Sequence, residues 1–128
     1  MNYRQRYQQN GASKQSGIAM PLPLPKAIDL FMSSENAHDL EPLADCFAAD
    51  ATVSDEGQTI RGLRAIQAWR LETAKKYGHT VDPVAVAARD GKTVVSTQLT
   101  GEFPGSPITL DFVFTLEGGK IAALEIRS

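Results

Sequence analysis

The sequence predicts an α+β domain in which helices come first and an antiparallel meander comes last, and three observations carry that reading. The N-terminal half of the 128-residue chain places apolar residues at three- and four-residue intervals. The C-terminal half changes to a period of two. Three clusters of turn residues, Arg89-Asp90-Gly91, Pro104-Gly105-Ser106 and Glu117-Gly118-Gly119, divide that half into strand-length pieces. A curved sheet of this kind must cover its apolar face with the helices.

Residues 1–19 are rich in Gln, Asn, Ser and Gly without apolar periodicity, and read as a flexible extension that buries too little to offset ordering entropy. Residues 20–128 form the single domain. Helix one is expected to start near Pro25, since proline is tolerated in a first helical turn. Ile28, Phe31, Met32 and Glu35 share one of its faces, and it ends between Asn36 and His38. Asp39 then caps a second short helix that turns Leu40, Leu43 and Phe47 inward. Ala51 to Ser54 is a short strand closed by Asp55-Glu56-Gly57. Gly62 opens helix three, with Ile66, Trp69, Thr73 and Tyr77 on one stripe and Gly78 as the residue that stops it. Thr80 to Ala87, Lys92 to Phe103, Ile108 to Leu116 and Lys120 to Arg127 read as strands, giving the order ααβαββββ.

Composition narrows the function. Hydrophobic residues make up 42% of the chain, enough for one core. The longest apolar runs fall far short of the roughly 20 residues that span a bilayer, and no secretory h-region opens the chain, so the expectation is a cytoplasmic protein without membrane contact. Net charge is −2, and Arg4, Arg6 and Lys14 are the only charges before residue 21, so the body is more acidic than the whole. An acidic body repels phosphate backbones and argues against nucleic acid. The single cysteine, Cys46, reads as a small core residue and not as part of a zinc site; no metal and no cofactor are expected. Neither a P-loop nor a Gly-x-Ser-x-Gly elbow occurs.

The segment Asn36-Ala-His-Asp-Leu-Glu-Pro-Leu-Ala-Asp-Cys-Phe-Ala-Ala-Asp-Ala-Thr-Val-Ser-Asp55, followed by Ile60-Arg-Gly62 and Ala65-Ile66-Gln67-Ala68-Trp69, resembles the SnoaL-like and ketosteroid-isomerase-like branches of the nuclear-transport-factor-two-like superfamily. The closing Phe112-x-Phe114-x-Leu116-Glu-Gly-Gly-Lys-Ile121 is similar to that superfamily's last hairpin. The resemblance implies a cone: a strongly curved antiparallel sheet wrapped around three N-terminal helices, as in a cystatin-like α+β roll, with a pocket at its open end. It also implies a small, largely apolar ligand and a homodimer through the sheet's outer face, on which Val94 or Val95 and Val113 are expected.

By the same resemblance, Asp55 stands where the family's isomerases keep their general base. A carboxylate beside an apolar pocket has its pKa raised by desolvation, which suits proton abstraction. An enolate also needs hydrogen-bond donors where its charge develops. Counting along the motif puts Phe31, without a hydroxyl, where those isomerases use a tyrosine, and Asp111 where they use a protonated aspartate. Strand alternation argues differently for the latter: if Ile108, Leu110, Phe112, Phe114 and Leu116 line the cone, Asp111 points outward. The other arrangement, with Asp111 inside and the Phe pair at a dimer interface, stays open at this point. Phe31, Trp69, Tyr77, His79, Leu110 and Phe112 are the expected pocket residues. Two readings follow, a cofactor-free isomerase- or lyase-type enzyme using Asp55, and a non-catalytic binding or dimerisation module. An open pocket reaching Asp55 separates the first from a cone packed shut by Phe31, Trp69 and Phe112.

Overall fold

The computed structural model describes residues 22–128; the expectation for residues 1–19 lies outside them. Elements follow in the order α1 (Lys26–Ala37), α2 (Leu43–Cys46), β1 (Phe47–Asp55), β2 (Gln58–Arg61), α3 (Leu63–Tyr77), β3 (Thr80–Arg89), β4 (Lys92–Thr100), β5 (Ile108–Glu117) and β6 (Lys120–Arg127). The six strands form one sheet in the spatial order β2-β1-β6-β5-β4-β3, so β2 and β3 are its edges. All neighbours are antiparallel except β1 and β6, whose parallel pairing ties the first long strand to the last.

Three corrections to the sequence reading concern the first half. The second helix spans only Leu43–Cys46, and Phe47 is the first residue of β1 instead of its inward-facing end. The N-cap of this helix is Pro42 and not the expected Asp39, since the proline ring leaves no N–H to continue a longer helix upstream. The turn after Asp55 is a two-residue hairpin, with positive φ at both Glu56 and Gly57, that leads into β2. Four residues without apolar alternation carried no strand signal there. Elsewhere the elements fall close to where the periodicity puts them, except that β4 ends at Thr100 and not at Phe103. The third helix, α3, stops at Gly78, whose N–H still reaches the Ala74 carbonyl while its φ of 52° turns the chain out of the helix. Pro83 is accommodated because β3 is an edge strand with a register shift beside it.

The core lies between the helices and the concave face of the sheet. Phe31 is its centre: fully buried, it meets the rings of Phe47 and Phe114 edge-on, each at 5.7 Å. Ile28, Met32, Leu43, Ile66, Val95 and Leu124 close around them. On the convex face Val94 pairs with Val113, and both are nearly inaccessible, whereas Val95 belongs to the core. Among the described residues no helix is long and apolar enough to cross a membrane.

Candidate functional site

The wider end of the fold holds a cavity of about 340 Å³. Its walls come from the C-terminal end of β1, the inward face of α3, the start of β3 and the β4–β5 corner. Leu99, Phe103, Ile108, Leu110, Phe112 and Ile126 supply an apolar surface. Its polar lining residues are Glu35, Asp55, Glu56, Trp69, Thr73, Tyr77 and His79.

Asp55 is the last ladder residue before the β1–β2 turn, paired with Gln58, and the tight hairpin fixes its carboxylate at the cavity. Trp69, one stripe position along α3, donates its indole N–H to Asp55 Oδ2 at 3.0 Å. Burial raises the Asp55 pKa above the ordinary aspartate value, and the nearby charges of Glu56 and Glu35 push the same way, while the Trp69 hydrogen bond and the charge of His79 only partly oppose them. At the rim, the Tyr77 hydroxyl donates to Glu56 Oε2 at 2.7 Å. Lys76 lies 3.9 Å from the same carboxylate, both side chains being well exposed.

Beneath the cavity sits a charged cluster. Glu35, 4% accessible, forms an ion pair through Oε1 with Arg70 Nε and accepts a hydrogen bond through Oε2 from His79 Nε2 at 3.0 Å. Arg70, 1% accessible, also donates to the Ser34 carbonyl at 3.2 Å, the Ser34 hydroxyl at 3.2 Å and the Asp39 carbonyl at 2.8 Å. Desolvation alone would raise the Glu35 pKa, yet it is held below the ordinary value because the His79 hydrogen bond and the Arg70 and histidine charges together outweigh burial. Glu35 is therefore an anion, and His79 Nε2 is the donor in that contact.

Of the residues singled out from sequence, Asp55, Trp69, Tyr77, His79, Leu110 and Phe112 border this cavity together. Phe31 does not: it sits under the floor in the aromatic core, one helical turn before Glu35, the residue of the same face that reaches the cavity. Asp111 is also away from it. It lies opposite Ser96 across β4 and β5, accepting that hydroxyl's hydrogen bond at 3.3 Å, on the face that carries Val113 and not the one that carries Leu110 and Phe112. Sequence reasoning missed Arg70 and assigned Glu35 only to a helix face. A usable signal existed, since each sits on the buried stripe of an amphipathic helix and opposite charges there need one another.

A SnoaL-like domain model matches residues 28–124, most of the chain and all of the cavity lining except Ile126. The chain belongs to the SnoaL-like family. A crystal structure from Sinorhizobium meliloti described as a "putative polyketide cyclase" is 35% identical to this SnoaL-like chain, with a TM-score of 0.78 over 81% of this chain and 95% of that one. A Catenulispora acidiphila protein with a ketosteroid isomerase-like fold, solved in complex with trimethylamine, is 18% identical, with a TM-score of 0.70 over 81% and 85%. An NTF2-like protein from Cytophaga hutchinsonii is 11% identical, with a TM-score of 0.67 over 85% and 92%. The last two show a shared fold. Among curated proteins none matches at a significant level.

Proposed function

We propose that this SnoaL-like protein binds a small, largely apolar metabolite and catalyses cofactor-free proton transfer on it, with Asp55 as the general base. The observation that carries this reading is the Asp55 carboxylate at the wall of an open apolar cavity, oriented by the Trp69 N–H and raised in pKa by burial. A base of this kind takes a proton from a carbon next to a carbonyl, the step shared by isomerisation and by carbon–carbon cyclisation. The likeness to the S. meliloti protein supports chemistry of that class. Against the binding-module alternative, Trp69 and Phe112 border the cavity and do not fill it.

The test is native mass spectrometry of the protein purified gently from its own host, compared with Leu110→Trp, which fills the cavity. A retained small molecule that disappears in the filled variant supports the reading. A wild type that carries none, and that fails to bind any of a panel of small apolar ketones, contradicts it.

A further inference from the structure

Taking a proton from the carbon beside a ketone creates an enolate, whose oxygen needs a hydrogen-bond donor where the negative charge develops. The cavity has none to spare. Trp69 gives its N–H to Asp55, Tyr77 its hydroxyl hydrogen to Glu56, and Thr73 its own to the Arg70 carbonyl at 3.2 Å. His79 gives its Nε2–H to Glu35, and its Nδ1 is buried out of an occupant's reach. What the lining offers an occupant is acceptors, the carboxylate and hydroxyl oxygens.

Charge points the same way. Glu35, Asp55 and Glu56 border the cavity, and no Lys or Arg does. Glu35 is offset by buried Arg70, and Glu56 stands at the half-exposed rim with Lys76 3.9 Å away. Asp55 has no such counter-charge: among the described residues it forms no ion pair, and its carboxylate is held by the neutral Trp69 N–H at Oδ2. Burial and then the charges of Glu56 and Glu35 raise its pKa, and a cation beside it offsets them. The walls suit an organic cation, because Trp69, Tyr77, Phe103 and Phe112 are aromatic and a ring face attracts a weakly hydrated positive charge. In so apolar a space a carboxylate also attracts a cation far more strongly than in water.

We propose that the substrate of this cavity is an apolar iminium ion, the protonated imine of a small ketone, which Asp55 deprotonates at the carbon next to C=N⁺. The inference deepens the function proposed above and rests on Asp55 being the base. The Asp55 carboxylate takes the α proton, the C–H pair becomes a C=C bond, and the C=N π pair moves onto nitrogen as a lone pair. Aspartate and cation become aspartic acid and a neutral enamine. Charge is cancelled where an enolate would create it, so no oxyanion donor is needed. Return of the proton to the same or a conjugated carbon restores both charges, and no oxidant or reductant enters the balance. The hydroxyl oxygens of Tyr77 and Thr73 keep lone pairs for the N–H of the ion. The bound cation also keeps Asp55 ionised, the state a base needs before it acts. A ketone of the same size still fits the cavity but is the poorer substrate.

The probe is 1-methyl-3,4-dihydroisoquinoline, protonated at neutral pH. It is compared with 1-methyl-3,4-dihydronaphthalene, its neutral hydrocarbon isostere, and with 1-tetralone, a ketone on a similar bicyclic frame. Trp69 is the one tryptophan of the chain and borders the cavity, so its indole N–H resonance reports occupancy in wild type and in Asp55→Asn, each first checked for cooperative unfolding. The cation is expected to bind wild type about 10-fold or more tightly than the hydrocarbon, and Asp55→Asn to lose that preference while still binding the hydrocarbon. The comparison within wild type stands whether or not the variant folds. Deuterium exchange at the C1 methyl of the probe in D₂O is followed by NMR as an acceleration over buffer alone. It should exceed the acceleration of 1-tetralone exchange about 100-fold, the effect of an absent oxyanion donor, and be lost in Asp55→Asn.

A hydrocarbon that binds wild type as tightly as the cation, a preference that Asp55→Asn keeps, or equal acceleration of the ketone and the iminium probe overturns this inference. In each of these cases 1-tetralone exchange that depends on Asp55 leaves the base reading standing. Cation-selective binding through Asp55 without accelerated exchange of either carbon acid overturns the base reading and, with it, the iminium ion as substrate.

Discussion

Replacing Glu35 by Gln keeps the side chain's outline and one acceptor oxygen but removes the charge that Arg70 and His79 share. Both members of the ion pair are almost wholly inaccessible, at 4% and 1%, so water cannot take the place of the lost partner. Removing one partner of a buried pair costs about 3–5 kcal/mol, chiefly because the other charge is left uncompensated. The three remaining hydrogen bonds of Arg70 to Ser34 and Asp39 place Glu35→Gln near the lower end, about 3 kcal/mol. For a domain of this size that is a Tm lower by roughly 15 °C. Urea or thermal unfolding of both proteins from pH 7 downward also tests the sign. The Glu35 pKa is lowered in the folded state, so its contribution is fully present above the unfolded value near 4.5 and disappears as pH falls through the folded one. The gap between the two proteins should hold from pH 7 to about 5 and close only in acid. A gap under about 1 kcal/mol at pH 7, the size expected of an exposed pair, would refute the reasoning. So would a gap that closes while the pH is still above the ordinary glutamate range. The double variant Glu35→Leu/Arg70→Met should recover most of the loss, since an apolar replacement leaves no buried charge.

Other outcomes follow from the same geometry. Gly101→Ala sets a methyl 2.7 Å from the Tyr77 carbonyl oxygen, with backbone atoms on both sides, so it should destabilise by about 1–3 kcal/mol in chemical denaturation and displace the His79 resonances in NMR spectra. Trp69→Phe removes the hydrogen bond that opposes burial at Asp55, so the carboxylate should titrate higher still than in the wild type, as read by ¹³C NMR. The homodimer is a proposal that rests on the family resemblance and not on this geometry, and sedimentation at micromolar concentration showing a monomer alone would remove it.

The architecture was legible because each half of the chain keeps one period. Ile66, Trp69 and Thr73 recur at helical spacing on α3, and Leu110, Phe112 and Phe114 alternate on β5, so both faces follow from composition along the chain. The alternation also pointed to the outward Asp111 that the structure shows, against a count along the family motif that placed it inside, but left both arrangements open. Strand β2 was not legible, being four residues held by its hairpin partner and not by its own pattern. Nor was the cluster under the cavity. Glu35 and His79 are 44 residues apart, and only the folding of α1 against the start of β3 brings them together. Asp55 was readable as a site residue from its motif and Trp69 as a pocket residue, but the hydrogen bond that joins them depends on how α3 packs against β1. Phe31 was misplaced for a related reason: which turn of a helical face reaches the cavity and which packs into the core is set by how the helix docks on the sheet, and Glu35, one turn on, is the residue that reaches it.

The most direct test of the account is a carboxylate titration of Asp55 by NMR, with Asp55→Asn to assign the resonance. Burial beside Trp69 predicts a pKa raised above the ordinary aspartate value. A raised folded-state pKa penalises folding once pH exceeds the unfolded value, so Asp55→Asn should be as stable as the wild type, or more stable, near neutral pH. A resonance that titrates at or below the ordinary value near 4, with Asp55→Asn less stable than the wild type, would contradict the account and remove the general base from the cavity.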